Sequence, residues 1–122
     1  MIKVIALLAR RPDLSHAEFV HYYENNHSVL IRRLLPQVGD YRRNYIERNT
    51  ILGPAGVPDL DFDVITEMFF ADRAAYDAML ATHAQPEVCS AIEADEANFL
   101  DRSRIRMFLV DTHTNDPAPL RS

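Results

Sequence analysis

Glycine, cysteine and tryptophan are scarce in this chain: 122 residues hold three glycines, one cysteine and no tryptophan. With only Gly39, Gly53 and Gly56 available, no phosphate loop or dinucleotide-binding glycine pattern can be written, and no Gly-x-Ser-x-Gly turn exists. A lone Cys89 cannot close an internal disulfide, which excludes a disulfide-stapled scaffold. It also lacks the basic neighbours that would activate a thiolate, so it reads as a small apolar residue on a helix. His16, His83 and His113 show no metal-ligand spacing, and His21 and His27 lie on different sides of one helix, so no metal site is expected. Positive charge is in deficit, with 13 Lys+Arg against 18 Asp+Glu and a net charge of −5. Such a surface repels phosphate backbones and offers no polybasic run, so neither nucleic acid nor a membrane is an expected partner. No segment approaches the roughly 20 apolar residues that span a bilayer. The short apolar start ends in Arg10-Arg11-Pro12 without a small-residue cleavage site, and a cytoplasmic location is expected.

What is present is ordinary globular material, 48% hydrophobic and 25% charged, in one domain's worth of chain. The domain is expected over residues 1–111, followed by a polar, Pro-containing tail over 112–122. Residues 2–10 are β-branched and apolar at both parities, the pattern of a strand buried on both faces. Ser15-x-x-Glu18 is a capping box that opens a helix to about Asn26, with further helical turns from Ser28 to Leu35. A polar second strand over 40–49 belongs near an edge. Thr50 to Leu60 contains Gly53-Pro54, Gly56 and Pro58 and reads as a loop, long enough to be a lid or rim. A third strand follows over 62–70, then a helix capped by Asp72, a helix opened by Pro86 that reaches about Leu100, and a fourth strand over 104–111.

This order is that of the α+β, ferredoxin-like βαββαβ fold, a four-stranded antiparallel sheet with helices on one face. Large apolar residues occupy both parities of strands one, three and four, for instance Ile5 and Leu7 against Val4 and Leu8. Helices cover one face only, and the other would be a large exposed apolar patch. A homodimer packed sheet to sheet is the expected solution.

Phe19, Tyr23 and His27 recur every four residues and share one helix face. His27 is therefore expected at the margin of the core, where its helix ends. A sheltered imidazole there can be tuned near neutrality and trade protons, or it can simply hydrogen-bond the last carbonyls of its helix. Glu67 sits mid-strand among Ile65, Thr66, Met68 and Phe69, and must be paired or face a polar cavity. Arg43 on the neighbouring strand is the candidate partner for an ion pair. Asp63 lies on the same face nearer the sheet margin. Tyr41 and Asn44 are candidates to orient a ligand, while Tyr45 shares Tyr41's face and reads as cover for the sheet. Asp95-Glu96, with Glu93, reads as a solvated helix face or as a partner for Arg102 or Arg104.

The opening IKVIALLARRPDLSHAEFVHYYENNH, the strand Asp63-Val-Ile-Thr-Glu67-Met-Phe-Phe70, and Asp95-Glu96 followed by Phe99-Leu100-Asp101 together resemble EthD-type domains. The resemblance covers about Ile2 to Asp111, with Tyr23 standing where tryptophan is commoner. It implies a dimeric α+β barrel with a pocket between sheet and helices, and His27 near that pocket. Relatives in this wider fold include cofactor-independent monooxygenases, polyketide cyclases and dehydratases, lactone isomerases and haem-binding enzymes. Fold alone does not choose among these.

The expected protein is a small enzyme, a dehydratase/cyclase or oxidoreductase, that needs no bound cofactor and acts on a hydrophobic, aromatic or polyketide-like oxygenated molecule. His27 and Glu67 are the expected catalytic residues, with Glu67 and Asn44 orienting substrate or polarising His27. Tyr23, Tyr41, Asn44 and Phe69 are the expected substrate contacts. The alternatives are a non-catalytic protein that holds a small molecule for an oxidase system, or a haem-binding protein using His27.

Overall fold

A computed structural model describes residues 1–115 of the chain. Four strands, β1 (Ile2–Leu8), β2 (Tyr41–Tyr45), β3 (Val64–Phe70) and β4 (Arg106–Val110), form one sheet in the order β2-β3-β1-β4, every pair antiparallel. The helices are α1 (His16–Tyr22), α2 (Ser28–Leu34), α3 (Arg73–His83) and α4 (Pro86–Glu96). This is the ferredoxin-like arrangement expected from the element order, with the short polar β2 on an edge as its composition required. Of the expected tail, residues 112–115 are irregular and exposed, and the remainder lies outside the described residues.

Local chemistry accounts for the helix starts. At α1 the Ser15 hydroxyl accepts from the Glu18 N–H at 3.1 Å, and the Glu18 carboxylate accepts from the Ser15 N–H at 2.9 Å. Asp72 caps α3 by accepting from the Ala75 N–H, and Pro86 supplies a fixed φ in the first turn of α4.

The first helix does not end near Asn26. It runs on through a π-helical turn, Tyr23–His27, directly into α2, and the Ser28 N–H bonds to the Tyr23 carbonyl five residues back. A wider turn advances each residue by less than the 100° of an α-helix. The four steps from Tyr23 to His27 therefore do not overshoot a full turn, and Phe19, Tyr23 and His27 are all buried on the sheet side.

Strand parity divides the sheet cleanly. Val4, Ala6 and Leu8 of β1, with Val64, Thr66, Met68 and Phe70 of β3, point toward the helices and are buried. They pack with Phe19, Tyr23, Ile31, Met79, Val88, Ile92 and Phe99 into the core. The opposite parity, including Ile5, Leu7, Ile65, Glu67 and Phe69, lies on the face without helices and is half-buried, and Phe108 there is 44% exposed.

Candidate functional site

Between the helix side of the sheet and the helices lies a cavity of about 330 Å³. Val4, Ala6 and Met68 form its sheet wall, and Ile31, Leu35, Met79 and Ile92 its helix wall, so most of the lining is aliphatic. Tyr23, His27, Tyr41, Thr66, Tyr76, His83 and Glu96 supply its polar groups.

His27 is 3% exposed, and its Nδ1 lies 2.8 Å from Asp95 Oδ2. A carboxylate can only accept, so the imidazole proton resides on Nδ1 and donates to Asp95. The second carboxylate oxygen, Oδ1, accepts from the Tyr22 hydroxyl at 2.6 Å, which in turn accepts from Asn98 Nδ2 at 2.9 Å. Burial lowers the His27 pKa below its ordinary 6.5, and the hydrogen bond and charge of Asp95, with the charge of Glu96, only partly offset it. The ring is thus neutral at pH 7, its Nδ1–H is engaged, and Nε2 carries a free lone pair. No described residue hydrogen-bonds to Nε2. Tyr23 and Phe99 pack against the ring with centroids at 5.5 and 4.8 Å, which locks its orientation.

Below His27 the Tyr23 hydroxyl lies 2.8 Å from Thr66 Oγ1 and 3.1 Å from the Tyr41 hydroxyl. Burial raises the pKa of both phenols, so both are protonated at neutral pH. Behind Tyr41, Arg43 lies 4.7 Å from the ring centroid and forms a two-pronged pair with Glu24, at 2.8 and 2.9 Å. Tyr45 donates to the same Glu24 carboxylate. Tyr45 thus covers the sheet beside Phe19, as its shared face with Tyr41 suggested.

Three expectations are corrected here. Glu67 is not beside His27. The odd parity of β3 puts it on the open face, where Lys3 Nζ lies 2.6 Å from its carboxylate and Asn44 Nδ2 donates to it at 3.1 Å. Lys3 is thus the cation that pairs with it, Arg43 being held by Glu24, and Lys3 keeps its pKa below the usual carboxylate range. Asn44 also donates to the Ile65 carbonyl, and Phe69 lies between Lys3 and Arg42, so neither reaches the cavity. Second, Asp95 does not belong to a solvated face. Val88, Ile92, Asp95 and Phe99 recur at helical spacing, and the first, second and fourth are buried. A carboxylate embedded in that apolar stripe was the available signal. Glu96, beside it, lines the cavity and pairs with Arg102. Third, the 50–60 loop is no lid in the single chain: none of its residues lines the cavity, and Arg48 ties it back through Asp59 and the Phe62 carbonyl.

The remaining candidates have structural surroundings. Asp63 is buried at the end of β3, where it accepts from the Arg10 N–H at 2.7 Å and pairs with Arg48. Cys89 sits on α4 and its thiol donates to Glu93, which raises its pKa. No group of three or more metal-ligating side chains occurs among the described residues. No helix among them is long and apolar enough to cross a membrane.

Comparison with known proteins agrees with this architecture. An EthD family protein from Bacillus halodurans is 20% identical, with a TM-score of 0.61, over 93% of this chain and all of that one. A hydroxynitrile lyase from Passiflora edulis superposes with a TM-score of 0.59 at 14% identity, covering 95% of this chain and 96% of the lyase. SnoaB, a cofactor-independent oxygenase from Streptomyces nogalater, gives 0.57 at 15% identity, covering 96% and 97%. At these identities the likeness is one of fold, and that fold serves enzymes of different reaction types. No curated protein sequence matches the chain. The family model of the EthD domain matches residues 11–103, a span that includes the capping box, the π-turn histidine and its aspartate, and the chain belongs to the EthD family.

Proposed function

We propose that this chain is a small enzyme that acts, without a bound cofactor, on a hydrophobic oxygenated molecule held in the helix-side cavity. His27 is the general base. The observation that carries the reading is the His27–Asp95 pair at the wall of an apolar cavity. Asp95 fixes the tautomer that leaves Nε2 as acceptor, and it stabilises the imidazolium formed when Nε2 takes a proton. Burial keeps the base neutral until substrate arrives. Tyr23 and Tyr41 contact the substrate from the sheet side.

The reaction begins with removal of a proton beside a carbonyl or from a phenol. Dehydration, cyclisation or oxygenation can follow from the resulting anion. That a hydroxynitrile lyase and a cofactor-independent oxygenase share the fold supports chemistry of this kind. The active form is a homodimer joined through the open sheet faces, a reading supported by the apolar residues left there without helices. Glu67 and Asn44 then belong to the dimer interior, not to the catalytic site.

The test is deuterium incorporation from D2O into a panel of aryl ketones and phenols, read by mass spectrometry. Wild-type protein is expected to accelerate exchange, and His27→Gln is expected to lose the acceleration while keeping its fold. Exchange that persists in His27→Gln rejects the assignment. Tight ligand binding with no turnover in either protein would instead favour a carrier.

A further inference from the structure

The cavity wall is mostly aliphatic, yet three hydroxyls converge at one place on it. Tyr41 of β2 and Thr66 of β3 share the helix-side face of the sheet, and Tyr23 reaches down to them from the π-helical turn. All three are buried and all three line the cavity. Their hydrogen bonds do not balance. Three hydroxyls carry three protons, and the two contacts among them use two. No described residue accepts the third. Whichever way the hydroxyls rotate, one O–H is left over for an acceptor that enters the cavity.

We propose that Tyr23, Tyr41 and Thr66 form a preorganised donor cluster for the carbonyl oxygen of a neutral aromatic ketone of about two rings. This deepens the proposed function and rests on His27 as the base. Size, charge and chemistry each narrow the ligand. The cavity of about 330 Å³ is roughly twice the ~150 Å³ that accommodates benzene. Its lining contains no lysine or arginine and does contain Glu96, which disfavours a carboxylate ligand. The surplus group is a donor, which calls for an acceptor oxygen. In the reaction His27 Nε2 takes a proton from the α-carbon, the C–H electron pair becomes a C=C bond, and the carbonyl π pair moves to oxygen. The enolate oxygen receives the spare O–H, a hydrogen bond that strengthens as charge develops. Return of the proton from imidazolium to carbon closes the cycle.

Deleting any one hydroxyl leaves a donor in surplus, so the decisive variant is the isosteric triple Tyr23→Phe/Tyr41→Phe/Thr66→Val. The probes are 1-tetralone and its oxygen-free counterpart tetralin, titrated by calorimetry. Wild-type protein is expected to bind tetralone at least about tenfold more tightly than tetralin, and the triple variant is expected to bind both alike. Equal affinity in wild type, no measurable binding of the ketone, or a preference that survives in the triple variant overturns the proposal. A measurement on wild type alone guards against misfolding of the variant: the infrared carbonyl band of bound tetralone is expected below its position in hexane, and an unshifted band overturns the proposal. His27→Gln separates the two readings. It is expected to keep both the preference and the band shift while α-carbon deuterium exchange stops. A shifted band without exchange in wild type supports the cluster and counts only against His27 as base.

Discussion

Asp95 accepts two hydrogen bonds at once, from His27 Nδ1–H and from the Tyr22 hydroxyl, and so holds the imidazole in the tautomer that leaves Nε2 as an acceptor. Asp95→Asn keeps the shape but offers an amide that can donate to Nδ1 and reverse that tautomer. Turnover of any substrate found by the exchange assay is expected to fall about 10²-fold or more, with little change in thermal midpoint. The pH dependence follows from burial. Because the folded pKa of His27 lies below 6.5, the acid limb of kcat/KM is expected at a midpoint below 6.5. Stability follows the same linkage. Between the folded pKa and 6.5 the unfolded chain binds the extra proton, so this histidine's contribution to stability is complete above 6.5 and is lost as pH falls toward the folded value. Urea midpoints at pH 7 and pH 5, compared for wild type and His27→Gln, check the sign: the variant should lose less on acidification. At this scale the sequence was half legible. His27 and Tyr23 stood out by their spacing, whereas Asp95 was hidden because adjacent acidic residues on a helix usually face water.

Secondary-structure elements were more legible, because their signals are local. The capping box Ser15-x-x-Glu18 is visible in the sequence and made in the structure. Ser15→Ala is expected to cost about 1 kcal/mol in chemical denaturation, since it leaves orphan N–H groups at the start of the helix that carries His27. Gly39 is required for a different reason. Its N–H donates to the Phe69 carbonyl at 2.8 Å, and a Cβ there would stand 3.0 Å from the same oxygen. Gly39→Ala is expected to destabilise by about 1–3 kcal/mol as β2 is pushed from β3, again read by denaturation. The π-helical turn was not legible. Neither Tyr23 nor His27 announces an i to i+5 bond, and the wider turn lets both rings and the Ile31 side chain of α2 pack on one sheet.

Across the whole molecule the open sheet face is the apolar surface that the helices leave uncovered. It presents Ile5, Leu7, Ile65, Phe69 and Phe108 around the Lys3–Glu67 pair, with Arg42 over Phe69. Packed on a second copy, such a face would bury its aliphatic centre and shelter the ion pair. Sedimentation at micromolar concentration is expected to give a species of twice 14.0 kDa. Ile65→Arg is expected to give single chains that retain the helix-side cavity. A wild-type protein that sediments as one chain would remove the dimer from the proposal and leave the His27 site standing. The order of strands and helices, most of their approximate limits and the apolar character of both sheet faces were determined by sequence alone, because periodicity, capping residues and turn formers act within a few residues of one another. The side of the sheet that Glu67 takes, the partner of His27 and the convergence of three hydroxyls were decided only by the tertiary structure. Those depend on strand parity where both faces are apolar, and on contacts between residues as far apart as His27 and Asp95, which no local pattern encodes.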